Sequence, residues 1–511
     1  MSSIHNITPT VMAMHDELQD DRATIARTSS MSQRSISSSI TEKQASVPAT
    51  LPDEAVHASK KDADHEYQFK CDDPENGVNK QTSLSDVEQQ QLEQQETDMD
   101  GGYGWLVILG TFMVQVTSFG TASCCRENTK EKKERILQDY LDVNMFRDRV
   151  ANSQFQLSFV GTILEVCVNL MGPLSQIIAS RFGSKAVLII GTILATLGLE
   201  LASLSTEIWH LYLTQGVMFG SGASFLYVTA MGTAPLWFNK RRGLALGLAS
   251  GGSGIGGLVL PFIISATNSS IGIAWTFRIL GFICLFCDII ACIFIKDKNP
   301  AKKKKGERSL KAIFQLSVLK DVNFLLWTCG SVIGLMGYFI PYFFVPANAT
   351  HLGFTSTQGS TLIAIMSASN FVGRILVGFI GDRIGRLNAD IIFTFCASLS
   401  SLLVWNFAFS YGVLIAFSVL FGLFCGSYFA MMTPITAAIV TPAQYPTAVS
   451  TLLMFNIIAI FGISIASAIE TGAHAEPYLT YKMFTGVTYL VGGIILVILK
   501  LRLAKSILAR F

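Results

Sequence analysis

Long apolar segments separated by short polar ones fill most of this chain. From Trp105 onward, twelve segments of about 19 to 25 residues are long enough to cross a hydrocarbon core about 30 Å thick. They are expected near 105–123, 154–178, 186–205, 209–231, 243–265, 274–295, 323–346, 358–380, 390–409, 412–434, 446–469 and 482–500. The pattern predicts an all-α membrane protein with twelve transmembrane helices.

The composition supports lipid as the solvent for most of the chain, since 50% of the residues are apolar and only 14% are charged. Residues 1–99 differ from the rest: acidic side chains outnumber basic ones, and runs rich in Ser or in Gln and Glu replace any apolar periodicity. Such a segment buries too little apolar surface to offset the entropy lost on ordering. We predict a disordered cytosolic tail over 1–99, with no signal peptide before it.

A basic polar stretch at 296–322 divides the predicted helices into two sets of six. We therefore expect a first bundle over 100–295, a cytosolic linker over 296–322, a second bundle over 323–500 and a cytosolic C-terminus over 501–511. With both termini in the cytosol, most basic loop residues fall on the cytosolic side, as the positive-inside rule requires. Two glycosylation sequons, at Asn268 and Asn348, then fall on the outer side.

One segment breaks this charge rule. Residues 124–136 (CCRENTKEKKERI) place five basic side chains where the chain is expected to be outside the membrane or still within its first helix. We predict that this insertion is a retained intron or a gene-model error. A genuine surface loop is the alternative, and the sequence of the spliced transcript decides between them.

Two glycine-rich motifs flank predicted helices. Asp100 to Trp105 (DGGYGW) stands before the first helix, where glycines permit a tight bend and aromatic rings can anchor at the headgroup level. The fifth helix begins within 237–254 (WFNKRRGLALGLASGGSG), whose small residues allow close approach of another helix. The alternative to a functional role is that the first motif is only an interfacial anchor and that the second only packs statically. Arg241 and Arg242 would then be only topology charges.

Arg374 is the only Lys or Arg deep within a predicted span. A guanidinium in hydrocarbon is costly unless it faces a cavity or a partner, and its fixed donors match a carboxylate. The alternative is that Arg374 only braces the bundle through backbone carbonyls. Glu165 is a further intramembrane candidate, ahead of Glu200 and Asp288. Tyr428 and Phe429 are expected to line the cavity or simply to pack.

Together these motifs, with NFVGRILVGFIGDRIGR at 370–386, resemble the monocarboxylate-transporter family of the major facilitator superfamily, and its fungal homologues in particular. The resemblance covers roughly residues 100 to 505. It implies a major facilitator fold, in which two six-helix bundles surround a central cavity and work by alternating access. It also implies that Arg374 binds the substrate anion.

The proton-coupled members of that family carry an aspartate where this chain has Asn370, and a lysine near the position of Ser123. Because both groups are absent, the resemblance favours facilitated diffusion or coupling through another acid. The loop motif at 378–386 keeps Asp382, Arg383 and Arg386, a set expected to latch the cytosolic side. Its counterpart at 180–185 lacks the aspartate, so a weaker latch is expected there.

Other function classes lack their motifs. The chain has no HExxH, no GxSxG at a strand-to-helix turn and no P-loop, so we predict a transporter without enzymatic activity, metal or cofactor. The expected partners are a small organic substrate and the lipid bilayer, with no nucleic acid. The plasma membrane is favoured over the vacuolar membrane. Alternatives are a carrier of a neutral or aromatic metabolite such as a vitamin, and a nutrient sensor that signals through the tail.

Overall fold

The computed structural model describes residues 100–124, 153–298, 316–441, 444–473 and 476–504, and every regular element in these ranges is a helix. The predicted tail, nearly all of the 124–136 insertion, most of the linker and the end of the C-terminus lie outside the described residues, as does the side chain of Ser123.

Apart from two short 3-10 helices, Ala234–Trp237 and Leu316–Lys320, twelve helical runs follow one another in the described ranges, several of them interrupted. They are α1 (Tyr103–Cys124), α2 (Ser153–Leu170 and Gly172–Phe182), α3 (Ser184–Ala202), α4 (Ile208–Leu211, Tyr212–Phe219 and Gly220–Thr233), α5 (Arg242–Ser270), α6 (Ile273–Phe294), α7 (Val322–Tyr338 and Ile340–His351), α8 (Ser356–Ile384), α9 (Arg386–Leu399 and Ser400–Trp405), α10 (Tyr411–Cys425 and Ser427–Ile439), α11 (Tyr445–Ile460 and Gly462–Ala473) and α12 (Leu479–Ala504).

Ten of these runs are long and apolar enough to cross a membrane, and α2 makes an eleventh when its two parts, bent by 44°, are taken as one span. The remaining predicted span corresponds to α4, which contains a π-helical stretch at Tyr212–Phe219. Its last segment, Gly220–Thr233, is rich in Gly, Ser and Thr and is buried along nearly its whole length. A helix surrounded by protein needs less apolar surface than one that faces lipid.

Helix α5 packs at backbone distance against helices from both halves of the chain. A Cβ atom added at Gly256 would lie 2.8 Å from the Cα of Gly120 in α1, and one added at Gly243 would lie 2.6 Å from the carbonyl oxygen of Gly378 in α8. Glycine is therefore required at these positions. The small residues at the start of α5 thus bring α1, α5 and α8 together.

Buried cations are more numerous than expected from the sequence. Besides Arg374, Lys482 and Lys500 are buried, each about one turn from an end of α12. Long lysine side chains near helix ends can extend toward the membrane surface, whereas Arg374 lies well inside α8.

Candidate functional site

A cavity with an empty volume of about 850 Å³ lies between the first six helices and the last six. Its walls come from α1, α2, α5, α7, α8 and α10. Six aromatic rings face a few polar side chains across it. The main lining residues are Gln115, Phe119, Glu165, Ser253, Tyr338, Phe339, Tyr342, Phe343, Ser367, Asn370, Arg374 and Phe429.

Arg374 lines this cavity and is only 4% exposed. Its Nη1 donates to the carbonyl oxygen of Ser250 at 2.8 Å, and its Nη2 approaches the hydroxyl of Tyr338 at 3.4 Å. The guanidinium carbon also lies 4.8 Å from the centre of the Phe429 ring. Among the described residues no carboxylate pairs with Arg374. The cation therefore both borders the cavity and bridges α8 to α5.

Asn370 lies one turn before Arg374 and orients it. Its Oδ1 accepts from the Arg374 Nε at 2.8 Å, while its Nδ2 donates toward the Cys425 sulfur at 3.2 Å. Gly426 interrupts α10 here, and a Cβ atom at that position would lie 2.5 Å from the Asn370 Nδ2 and 3.0 Å from the Arg374 Nε. The break in α10 thus makes room for the amide and the guanidinium.

Glu165 also lines the cavity, from α2, and is 4% exposed. The other two acids considered from the sequence lie elsewhere. Asp288 is fully buried between α6 and α1, where its Oδ1 accepts from the Thr117 hydroxyl at 3.0 Å. Glu200 lies beside Gly281 of α6. The cavity therefore contains one cation from the second half and one acid from the first.

The two aromatic residues predicted on α10 have different surroundings. Phe429 lines the cavity, with its ring 5.0 Å from that of Tyr338 and 6.2 Å from that of Phe119. Tyr428 does not line it, and the Tyr428 hydroxyl hydrogen-bonds the Asn456 side chain at 2.9 Å. Its ring packs on Trp327 instead.

Several lining residues were not predicted from the sequence, among them Gln115, Phe119, Tyr338 and Tyr342. A polar Gln115 within the apolar run of α1 was an available signal. Another was Pro341, which is the second residue of the second part of α7 and marks a break in the helix beside Tyr338. Aromatic residues in spans are too common to point to a cavity by themselves.

At one end of the helices, Asp382 of α8 caps the start of α5. Its two carboxylate oxygens accept from the amides of Gly243 at 2.8 Å and Leu244 at 2.9 Å. The helix N-terminus is electropositive, which suits a carboxylate. Arg386 lies 3.7 Å from Asp382 and donates at 3.3 Å to the carbonyl oxygen of Asn239. These contacts tie the second half to the first at this end, which we call the Asp382 end.

Asp100 binds the turn that precedes α5 within the first half. Its carboxylate accepts from the amides of Asn239, Lys240 and Arg241, each at 2.9 Å. Partial burial opposes ionisation, but the three amides outweigh it, and the pKa of Asp100 is lower than that of an ordinary aspartate. Trp105 packs edge-on against Phe238, with ring centres 5.1 Å apart.

The two remaining motif arginines interact locally. Arg242 donates through Nε to the carbonyl oxygens of Pro235 at 3.1 Å and Phe238 at 3.2 Å. The guanidinium of Arg383 lies 4.1 Å from the centre of the Phe379 ring, on the same helix. Arg242 therefore stabilises the turn before α5, while Arg383 packs along its own helix, α8.

Sequence comparison identifies the family. The profile of the Major Facilitator Superfamily matches residues 108–410 and 349–507, which include all of the residues that line the cavity. The chain belongs to the major facilitator superfamily. It is accordingly a membrane-embedded secondary transporter of the superfamily rather than an enzyme.

Curated relatives are fungal transporters. The MFS-type transporter opdF of Penicillium oxalicum is 28% identical over 406 residues, covering 79% of this chain and 92% of the relative. The agnestins efflux protein of Paecilomyces divaricatus is 28% identical over 412 residues, covering 79% and 89%. An uncharacterized transporter of Saccharomyces cerevisiae is 29% identical over 494 residues, covering 92% and 70%.

Solved structures share the fold. The fucose:proton symporter FucP of E. coli superposes with a TM-score of 0.60 at 14% identity, covering 78% of this chain and 98% of the symporter. The human organic anion transporter MFSD10 superposes with a TM-score of 0.58 at 13% identity, covering 76% and 98%. At these identities the match supports the major facilitator fold predicted from the sequence.

Proposed function

We propose that this transporter moves a small organic anion, monocarboxylate-like or related, which binds to Arg374 in the central cavity. The observation behind the proposal is a buried guanidinium that lines the cavity and has no carboxylate partner among the described residues. A buried cation of this kind is stabilised by an anion that brings two acceptor oxygens. The monocarboxylate-transporter resemblance of 370–386 agrees with this assignment.

Substrate binding would engage Arg374, with Asn370 orienting the guanidinium and Glu165 and Phe429 completing the walls. Because Asn370 does not titrate, the anion travels without proton coupling at that position. Glu165 is the acid that lines the cavity, and it is the candidate for coupling if a proton is carried. Alternating access then opens and closes the Asp382 end, which is the cytosolic end in the orientation that the positive-inside rule favours, and the plasma membrane is the location that we propose.

A second candidate substrate class is a neutral aromatic metabolite. The observation that favours it is the ring content of the cavity, where six aromatic side chains surround one guanidinium.

Relatives from Paecilomyces divaricatus and Gibberella fujikuroi are named as efflux proteins, for agnestins and fujikurins respectively, which favours export as the direction.

Uptake of a radiolabelled metabolite panel into sealed vesicles, with and without a pH gradient, tests the proposal. We expect saturable flux of carboxylates by the wild type, with little change when the pH gradient is abolished. Losing two charge-assisted hydrogen bonds is expected to lower carboxylate flux about a hundredfold in Arg374→Ala. Lys240→Ala, at an exposed cation outside the cavity, is the control and should transport normally. Undiminished carboxylate flux in Arg374→Ala would contradict the proposal.

A further inference from the structure

A second cavity adjoins the first on the side away from α5 and α8. It has an empty volume of about 420 Å³ and walls from α1, α2, α4, α7, α10 and α11. We call it the inner chamber, because its lining on α4, α7 and α10 lies nearer to the Asp382 end. Its lining residues are Phe119, Glu165, Asn169, Tyr227, Leu335, Phe339, Phe429, Met432, Leu453, Asn456, Ala459 and Ile460.

Three aromatic rings, which we call the partition, lie at the boundary between the two cavities. Phe119, Phe339 and Phe429 line both of them, as does Glu165. The Phe429 ring lies 4.8 Å from the guanidinium of Arg374, so the same ring borders the anion site and the inner chamber. A planar apolar group packs well between ring faces and edges. A ring face attracts a cation rather than an anion.

The inner chamber has its own polar groups. Asn169 donates through Nδ2 to the backbone carbonyl of Glu165 at 2.9 Å, which leaves its amide oxygen as an acceptor without a partner among the described residues. Asn456 is held in place by the hydroxyl of Tyr428. The side chain of Glu165 faces the same space. These acceptors suit a neutral hydrogen-bond donor, because no Lys or Arg is among the lining residues of this chamber to bind a second anion.

We infer that the inner chamber binds the far end of an elongated aromatic acid, an inference that rests on the proposed function at Arg374. The carboxylate occupies the Arg374 cavity, the ring lies at the partition of Phe119, Phe339 and Phe429, and a terminal hydroxyl donates to the amide oxygen of Asn169. The preferred substrate class is therefore an aromatic carboxylic acid that carries a hydroxyl at the opposite end. Small aliphatic acids leave the inner chamber unused.

Equilibrium binding to the purified full-length protein tests this with two probes, 3-phenylpropanoate and 3-(4-hydroxyphenyl)propanoate. The wild type is expected to bind the hydroxylated acid roughly threefold to tenfold more tightly, the range for one added hydrogen bond. Asn169→Leu removes the acceptor and Ala459→Leu fills the chamber from α11, so each should abolish the preference. Gly232→Ala is the matched control, because Gly232 lies on α4 outside the lining of both cavities and a Cβ atom there meets nothing within 4 Å.

The outcomes separate this inference from the proposed function. Arg374→Gln should weaken both acids about a hundredfold, and if it does not, the anion site itself is refuted. If Arg374→Gln weakens both acids but the wild type shows no preference, only the inner chamber assignment fails. A preference that survives in either Asn169→Leu or Ala459→Leu also overturns it. The two variants lie on different helices, and a melting curve for each shows whether the protein is folded.

Discussion

The two halves of the transporter meet along α5 and α8 on one side and along α2 and α11 on the other, and the two seams are built differently. Across α5 and α8, Arg374 donates to the carbonyl oxygen of Ser250, and Asp382 accepts from two amides at the start of α5. Among the described residues of α2 and α11, no hydrogen bond crosses the seam. The first seam is polar and in backbone contact, and the second is held by ordinary packing.

The difference has a local cause at the Asp382 end. In the first half, the loop counterpart has Ser180 at the position of Asp382, and its hydroxyl donates to the carbonyl oxygen of Ile177 in its own helix. Helix α11 also begins with Pro446 in its first turn, which removes one of the amides that a carboxylate would bind. The α2 and α11 seam thus lacks both the carboxylate and one of the amides that would bind it. We expect this seam to open and close with a lower energy barrier.

The largest effect is expected from filling the α5 and α8 seam. Gly378→Ala places a methyl group against the carbonyl of Gly243, and overpacking of this kind costs about 1 to 3 kcal/mol. We expect transport to fall about tenfold or more, measured as flux per folded protein. Gly172→Ala, where the nearest atom is the Ser450 hydroxyl oxygen at 3.5 Å, should transport within about twofold of the wild type.

Gly334→Ala is a second control, since a Cβ atom there meets nothing within 4 Å. Equal losses of transport in Gly172→Ala and Gly378→Ala would show that the two seams tolerate added volume alike. That result would contradict the proposed difference between the two seams.

A carboxylate beside the guanidinium tests the polar contact of the first seam. Asn370→Asp puts a negative charge on an oxygen 2.8 Å from the Arg374 Nε. We expect it to weaken anion binding about tenfold at neutral pH, because the new carboxylate competes with the substrate for the cation. Affinity for a carboxylate and for its neutral amide, measured at neutral pH, checks this, and an equal loss for both ligands would count against competition.

The latch at the Asp382 end is expected to have a smaller effect. Asp382→Asn removes the charge that binds the α5 N-terminus, a contribution of about 1 kcal/mol. The population open at that end should rise about fivefold, measured by labelling of a cysteine introduced near the start of α5. Asp321→Asn is the control, because Asp321 caps the start of its own helix, α7, rather than a helix across the seam. Unchanged labelling in Asp382→Asn would show that Asp382 does not act as a latch.

The fold was largely predictable from the sequence, and the site only in part. Hydropathy located the spans. Helix α4 is the least apolar of them, and it is surrounded by protein along most of its last segment. Arg374 stood out because a cation in lipid is rare. Bracing through a backbone carbonyl was the sequence-based alternative for Arg374, but the partner, Ser250, was not predictable, because every residue type carries such a carbonyl. Nor was the different role of neighbouring Tyr428 and Phe429, which depends on how α10 turns after its break at Gly426.

The smallest effect is expected from completing the weaker seam. Ser180→Asp restores the carboxylate, but Pro446 still withholds an amide, so we expect transport within about twofold of the wild type. The double variant Ser180→Asp with Pro446→Ala supplies both halves of the latch. It should stabilise the closed seam by about 1 kcal/mol and thereby slow transport severalfold. A full effect from Ser180→Asp alone would show that Pro446 does not matter at this seam.

The most direct measurement compares an acid with its neutral amide at Arg374. Binding of 3-phenylpropanoate and 3-phenylpropanamide is measured on the wild type and on Arg374→Gln by calorimetry. We predict that the wild type prefers the carboxylate at least about tenfold, and that Arg374→Gln loses this preference while binding the amide as before. A carboxylate preference of the same size in Arg374→Gln would contradict the assignment of this guanidinium as the anion site.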